Sequence, residues 1–261
     1  MYNTSYIKVD SVDSAVAAIG EDGKFLAGGM TLIPTMKQRL ASPDILVDLA
    51  DCSLTNIEDN GTIVKIGAMA RHVDVAESKI VIDSIPALAA LAGNIGDRQV
   101  RYRGTIGGSL ANNDPSACYP AAALCMNATI HTNLRDISAA DYFVGMFETA
   151  LEEDELITAI SFPKPIAAAY VKCPNPASRY AMVGVCVAKT THGVQVAVTG
   201  AGEDGVFRHA ALEASLSEDF TASAARNVTS EEDGLISDMH ASASYRAHLI
   251  SEMAARAVQA C

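Results

Sequence analysis

The chain has 261 residues, 49% of them hydrophobic and 19% charged, enough for one large domain or two and without a disorder signature. Its formal charge of -12 argues against nucleic acid as a partner, because phosphate backbones are bound through clustered Lys and Arg. No apolar run approaches the roughly 20 residues of a membrane span, and "MYNTSYIKVDSVDS" lacks a basic and then apolar leader, so a cytoplasmic protein, not a transmembrane one, is expected.

Three segments follow in order. In residues 1–54, "SVDSAVAAIGEDG" predicts a short helix, with Ser11 or Ser14 as cap and Gly20 or Gly23 at its end. "KFLAGGMTL" predicts a strand running into a Gly-Gly turn, "IPTMKQRLA" a helix with Pro34 early, and "DILVDLAD" a further strand. In residues 55–163, Asn60-Gly61 between apolar runs marks a hairpin, and "HVDVAES" and "IPALAALAGNIG" are helical. "DRQVRYR" reads as a solvated turn, although its position leaves open a role beside an anionic ligand. "ATIHTN" is a strand, "LRDISAADYFVG" a connection containing a helix, and "ELITAISFP" a strand closed by Pro163. In residues 164–261, the alternation of "VGVCVAKT" and "GVQVAVTG" predicts antiparallel strands. The tail sets Tyr245, Leu249, Met253 and Ala257 four apart, the core stripe of an amphipathic helix. The fold class is α+β with mixed sheets.

Several chemistries lack support. Cys52, Cys118, Cys125, Cys173, Cys186 and Cys261 form no C-x-x-C pair, which argues against structural zinc or iron–sulfur centres in this chain. The histidines are dispersed, and no Ser-His-Asp set can be identified from spacing. "GAGEDG" at Gly200–Gly205 matches G-x-G-x-x-G, yet Glu203 and Asp204 would repel a pyrophosphate and no β-α-β unit surrounds it. A tight turn between strands is the better account.

Two other glycine pairs are more informative. Gly28-Gly29 follows a strand and precedes a helix, and "TIGGSLANNDPSA" joins Gly107-Gly108 to Thr105, Ser109, Asn112 and Asn113. Asp114-Pro115 fits a helix start. Either pair alone reads more readily as a structural turn than as a ligand seat. Together, two loops of backbone donors in an acidic chain suggest a phosphate-bearing cofactor gripped by neutral groups.

"KFLAGGMTL", "DRQVRYRGTIGGSLANNDPSACYPAA", "ELITAISFP" and "ASRYAMVGVCVA", in that order, resemble the FAD-binding medium subunit of molybdenum hydroxylases, the carbon monoxide dehydrogenase and xanthine dehydrogenase type. The resemblance covers nearly the whole chain. It implies a two-part FAD-binding domain of the p-cresol methylhydroxylase type, in residues 1–54 and 55–163, followed by a C-terminal α+β domain of the carbon monoxide dehydrogenase flavoprotein type in 164–261. Lys24, Leu26, Ala27, Gly28, Gly29, Met30, Thr31 and Leu32 would hold the FAD pyrophosphate from one side. Thr105, Ile106, Gly107, Gly108 and Ser109 would hold it from the other, with Asn112 and Asn113 near the ribityl or phosphate groups. Ile157 falls at the flavin region. Tyr180 either covers one face of the isoalloxazine or is a half-buried strand aromatic.

The implied role is electron transfer, with no catalytic side chain in this subunit. Substrate would be oxidised in a large subunit containing the molybdenum cofactor, and electrons would arrive through a [2Fe–2S] small subunit. They would leave through FAD to quinone, NAD or oxygen. A stand-alone FAD-dependent oxidoreductase on the same fold is the alternative. Two departures stand out. Met30 replaces a histidine found in many relatives, so FAD is expected to be non-covalent, and Cys118 replaces an aspartate, which makes it a doubtful ligand.

Overall fold

In the computed structural model, which describes residues 1–261, the first helix begins at Ser11. Ser11 Oγ accepts the Ser14 N–H at 3.3 Å, satisfying an orphan donor of α1 (Val12–Ala18). Gly20 then takes a left-handed φ of +63°, which a residue with a Cβ adopts at a cost. This helix links β1 (Ser5–Lys8) to β2 (Gly23–Leu26), and α2 (Leu32–Lys37) links β2 to β3 (Ile45–Asp48). Both outer strands lie parallel to β3, in the order β1-β3-β2. Parallel neighbours require crossovers of this kind, which leaves the Gly28-Gly29 turn at the carboxyl end of β2.

The second sheet opens with the expected hairpin of β4 (Ile57–Asp59) and β5 (Ile63–Gly67). Gly61 has φ +83° there, and the Asp59 carboxylate accepts its N–H at 2.8 Å. Six helices follow: α3 (His72–Glu77), α4 (Lys79–Ser84), α5 (Pro86–Gly93), α6 (Arg98–Arg103), α7 (Ile106–Asn112) and α8 (Cys118–Cys125). The chain returns through β6 (Thr129–Thr132), β7 (Asp136–Ser138), α9 (Ala139–Tyr142), β8 (Phe143–Gly145), β9 (Glu148–Thr149) and β10 (Ile157–Pro163). The sheet order is β4-β5-β10-β6-β7, antiparallel throughout.

Four local expectations need correction. "DRQVRYR" is a helix, α6, because the Asp97 carboxylate caps it by accepting the Val100 N–H at 3.0 Å. The Gly107-Gly108 stretch is the first turn of α7, capped by Thr105 Oγ1, which accepts the Gly108 N–H at 3.1 Å. Asp114 starts no helix; its carboxylate accepts the Ser116 N–H at 2.8 Å in a local turn, and α8 begins only at Cys118. Finally α4, which sequence reading passed over, forms between the two expected helices with Ser78 Oγ as its cap.

The third sheet is antiparallel, built from β11 (Ala167–Pro174), β12 (Ala181–Thr190), β13 (Gly193–Gly202) and β14 (Gly205–Arg208) in chain order. Glu203-Asp204 makes the tight turn between β13 and β14. After α10 (Ala210–Glu218) and α11 (Ala222–Arg226), the chain ends in α12 (Ala243–Ala260). Both faces of the sheet are covered, and the alternation in β12 sorts the residues. Val183, Val185 and Val187 join Leu249, Met253 and Ala257 of α12 in one core. Cys186, Ala188 and Ala197 pack with Ala121–Cys125 of α8 in the other. Small residues on both sides let α8 lie close to the sheet. Tyr245, the first member of the α12 stripe, is 47% exposed.

Candidate functional site

The two glycine pairs meet. A Cβ added to Gly28 would lie 2.1 Å from the Arg103 carbonyl oxygen and 2.8 Å from Gly104 Cα. One added to Gly108 would lie 3.6 Å from the Ala27 Cβ. Bare backbone at position 28 is therefore what lets the β2–α2 turn rest on the chain entering α7. Beside this contact opens a cavity of about 640 Å³, within the range of cofactor sites, and all three segments line it.

Of the residues named from sequence, Lys24, Leu26, Ala27, Gly28, Gly29, Met30, Thr31, Leu32, Thr105, Gly107, Gly108, Ser109, Asn112, Ile157 and Tyr180 line this cavity. Ile106 and Asn113 do not. Ile106 is fully buried in the largest core. Asn113 is 2% exposed, and its amide donates to the Gly145 and Glu148 carbonyls, both at 2.9 Å. Successive helical residues point about 100° apart, so a continuous run through α7 cannot all face one space.

The two segments offer donors unequally. None of the six main-chain N–H groups from Ala27 to Leu32 donates to another group of the chain. In α7 the donors are spent: Ile106 N–H goes to Ala70 O at 3.0 Å, Gly107 N–H to Ala68 O at 2.9 Å and Ser109 N–H to Thr105 O at 3.0 Å. The second glycine pair is therefore not a donor loop. Its purpose is close approach, since a Cβ on Gly107 would fall 2.6 Å from the Ala68 Cβ. Ser109 and Asn112 add a hydroxyl and an amide to the lining. Backbone N–H groups demand acceptors, and a diphosphate meets such a demand without a lysine cluster. The residues present fit a dinucleotide.

Several lining groups escaped sequence reading, because pairing between distant strands and helices brings them in. His72 is 5% exposed, its Nδ1 has no partner, and burial pulls its pKa down to about 4, with Arg101 acting in the same direction. Glu155 is buried but satisfied: Arg135 donates to its two oxygens at 3.0 and 2.9 Å, and that pairing holds the carboxyl at about 2. Burial raises the pKa of Asp114. Lys172 reaches the cavity from β11 and donates to Cys118 Sγ at 3.5 Å. Tyr180 is 46% exposed; its partly buried hydroxyl is shifted upward, with Asp114 and Cys118 adding to the effect.

A Ser–His–Asp array that spacing concealed lies on the outer face of the second sheet. Asp136 Oδ1 is 2.6 Å from His131 Nδ1, and His131 Nε2 is 2.7 Å from Ser161 Oγ. Ser161 lies inside β10, whose main chain pairs with β5 on one side and β6 on the other. No free N–H pair is left there to hold an oxyanion. The array is a cross-strand polar network.

A cavity between a small parallel sheet and two antiparallel ones, floored by unpaired N–H groups, defines an α+β dinucleotide-binding protein. Residues 2–165 match the family described as the FAD binding domain in molybdopterin dehydrogenase. The chain belongs to that family, as an oxidoreductase subunit whose cofactor is FAD. It is 31% identical to the nicotine 6-hydroxylase medium subunit of Paenarthrobacter nicotinovorans, over 97% of this chain and 95% of that one. It is 32% identical to the carbon monoxide dehydrogenase medium chain of Hydrogenophaga pseudoflava, over 96% and 94% respectively. Among solved structures, carbon monoxide dehydrogenase from H. pseudoflava superposes with a TM-score of 0.88 at 33% identity, covering 99% of this chain and 97% of that one. Quinoline 2-oxidoreductase from Pseudomonas putida 86 gives 0.89 at 26% identity, covering 99% and 96%. No helix is long and apolar enough to cross a membrane.

Proposed function

We propose that this chain is the electron-transfer subunit of a heterotrimeric cytoplasmic molybdenum hydroxylase. When bound, FAD would supply the redox chemistry between a [2Fe–2S] small subunit and an acceptor such as quinone, NAD or oxygen, with substrate oxidation belonging to a large subunit that holds the molybdenum cofactor. The protein's own task is to bind, orient and tune. Main-chain N–H groups from Ala27 to Leu32 hold the diphosphate, supported by the Thr105 N–H, the Ser109 hydroxyl and the Asn112 amide. Lys24, Gly107, Gly108 and Ile157 shape the walls, and Tyr180 covers the flavin ring. Residues 1–54 and 55–163 act as the two halves of the FAD-binding domain, and 164–261 form the C-terminal domain that closes the cavity.

The observation that carries this reading is the run of unpartnered N–H groups facing a cavity. Attachment is non-covalent, since Met30 stands after the glycine pair and offers no nitrogen to the flavin. Absorbance of the purified chain before and after denaturation tests both points. Flavin bands that move into the supernatant are expected. A colourless chain that takes up no added FAD refutes the assignment, and flavin that stays with the precipitate refutes its dissociability.

A further inference from the structure

Lys172 is a half-buried cation without a counter-ion. It takes part in none of the chain's ion pairs, although the sequence has 31 acidic residues. Its ammonium donates to Cys118 Sγ at 3.5 Å, and both residues line the cavity. Asp114, which also lines the cavity, forms no ion pair with it and accepts the Ser116 N–H at 2.8 Å. Partial burial of a charge is costly unless something compensates it, and an electron-rich occupant of the cavity would do so at this point.

An FAD molecule has two electron-rich parts. The diphosphate is already provided for by the free N–H groups of Ala27–Leu32 on the N-terminal sheet. Lys172 comes from a different sheet, on β11, with Cys118 beside it and Tyr180 in the same lining, where an aromatic side chain and a thiol suit a ring better than a phosphate. We propose that Lys172, its ammonium steered by Cys118, lies against the flavin ring and stabilises the electron-rich reduced cofactor over the oxidised one. This rests on the FAD reading above, and it gives the chain a built-in means of setting the cofactor's potential.

The test uses the full chain loaded with FAD. The two-electron midpoint potential is measured by dye equilibration for wild type, Lys172→Met, Lys172→Arg and Cys118→Ala. Affinity for ADP, which lacks the flavin ring, is measured on the flavin-stripped chains. Lys172→Met is expected to lose about tenfold of the preference for reduced FAD, a fall of about 30 mV. Lys172→Arg retains most of the wild-type value, Cys118→Ala falls part of the way, and ADP affinity is unchanged in all three. A flavin-loaded Lys172→Met at wild-type potential overturns the inference. So does Lys172→Arg falling as far as Lys172→Met, or a loss of ADP affinity that places the cation at the phosphates. Wild-type potential in Cys118→Ala overturns the steering role. A wild-type chain that takes up no FAD overturns the function proposed above, and this inference with it.

Discussion

Replacing Gly28 by alanine tests how the cavity is held together. The new methyl carbon would lie 2.1 Å from the Arg103 carbonyl oxygen, 2.7 Å from its carbon and 2.8 Å from Gly104 Cα. All three are backbone atoms, so no side-chain rotation relieves the clash, and carbon contacts settle only at about 3.5 Å. The β2–α2 turn and the chain entering α7 must then move apart. Overpacking of this sort costs about 1–3 kcal/mol. The cost divides between two measurable quantities. The part borne by the fold lowers the thermal midpoint of the flavin-free chain, by about 2–4 °C per kcal/mol at this size. The part relieved by widening the cavity lowers FAD affinity, by about tenfold per 1.4 kcal/mol. Thermal melts and FAD titration followed by flavin fluorescence read the two. Gly93→Ala is the control, because its added Cβ meets nothing nearer than the Ala76 Cβ at 3.8 Å; at the end of helix α5 it should stabilise by about 0.4–1 kcal/mol. An alanine at position 28 with wild-type midpoint and wild-type FAD affinity would refute the convergence of the two glycine segments.

Titration of buried groups yields further outcomes. His72 stays neutral in the folded chain down to about pH 4, whereas an unfolded imidazole protonates near 6.5. Between those values the unfolded state takes up a proton that the folded state refuses, so stability falls as pH drops from about 6.5 to about 4, by about 3 kcal/mol. In a urea series across that range, His72→Gln should flatten the decline, and an unaltered slope would count against burial as its cause. Glu155 works at lower pH: its carboxyl is held at about 2 by Arg135, so its contribution is complete above about 4.3 and is lost as pH falls through about 2. Arg135→Ala strands that buried carboxylate and should cost about 3 kcal/mol at neutral pH, read as a shift in the urea midpoint. Arg246, 3% exposed, donates to the Met182 and Gly200 carbonyls at 2.5 and 2.8 Å. Arg246→Met should cost about 2–3 kcal/mol by leaving both carbonyls unpaired, with the flavin spectrum unchanged.

What could be read from the sequence was what neighbours in sequence decide. Ser11 caps α1 from three residues away, Asn60-Gly61 turns a hairpin whose strands adjoin it, and the valines of β12 alternate because strand geometry does. The glycine pairs were legible as stretches of bare backbone, which the structure sets beside one cavity, for the same reason: a missing side chain is a local fact with few explanations. The failures came where a distant partner decides. Two glycines in the first turn of α7 lower helix propensity, and only the Ala68 and Ala70 carbonyls, which accept the Gly107 and Ile106 N–H groups, make that turn worthwhile. Asn112 and Asn113 look equivalent in sequence, yet one faces the cavity and the other is spent on the Gly145 and Glu148 carbonyls. Lys172 carries no signal of its own. It sits in the middle of a strand, and its meaning comes from Cys118, 54 positions earlier.

The N-terminal sheet should depend on the cofactor more than the rest of the molecule does. Its core comprises eight buried residues, against 32 and 19 in the other two clusters. Two of the eight, Met69 and Leu156, belong to the second segment and also line the cavity. With so little apolar surface of its own, this sheet draws limited stability from burial at roughly 25 cal/mol per Å². Its β2–α2 turn, meanwhile, carries the free N–H groups. A dinucleotide held there bridges the small sheet to the larger ones, and at a hundredfold excess over its dissociation constant it adds about 2.7 kcal/mol. That increment falls on openings that break the bridge. Opening within β12 and β13 leaves it intact, because those strands lie between α8 and α12 and contribute nothing to the cavity lining. Stripping FAD should therefore speed amide exchange in β1, β2 and β3 by up to about 100-fold, while β12 and β13 change little. Equal acceleration in all three sheets would show that the cofactor stabilises the chain only as a whole, and would remove its role as the clamp on the N-terminal sheet.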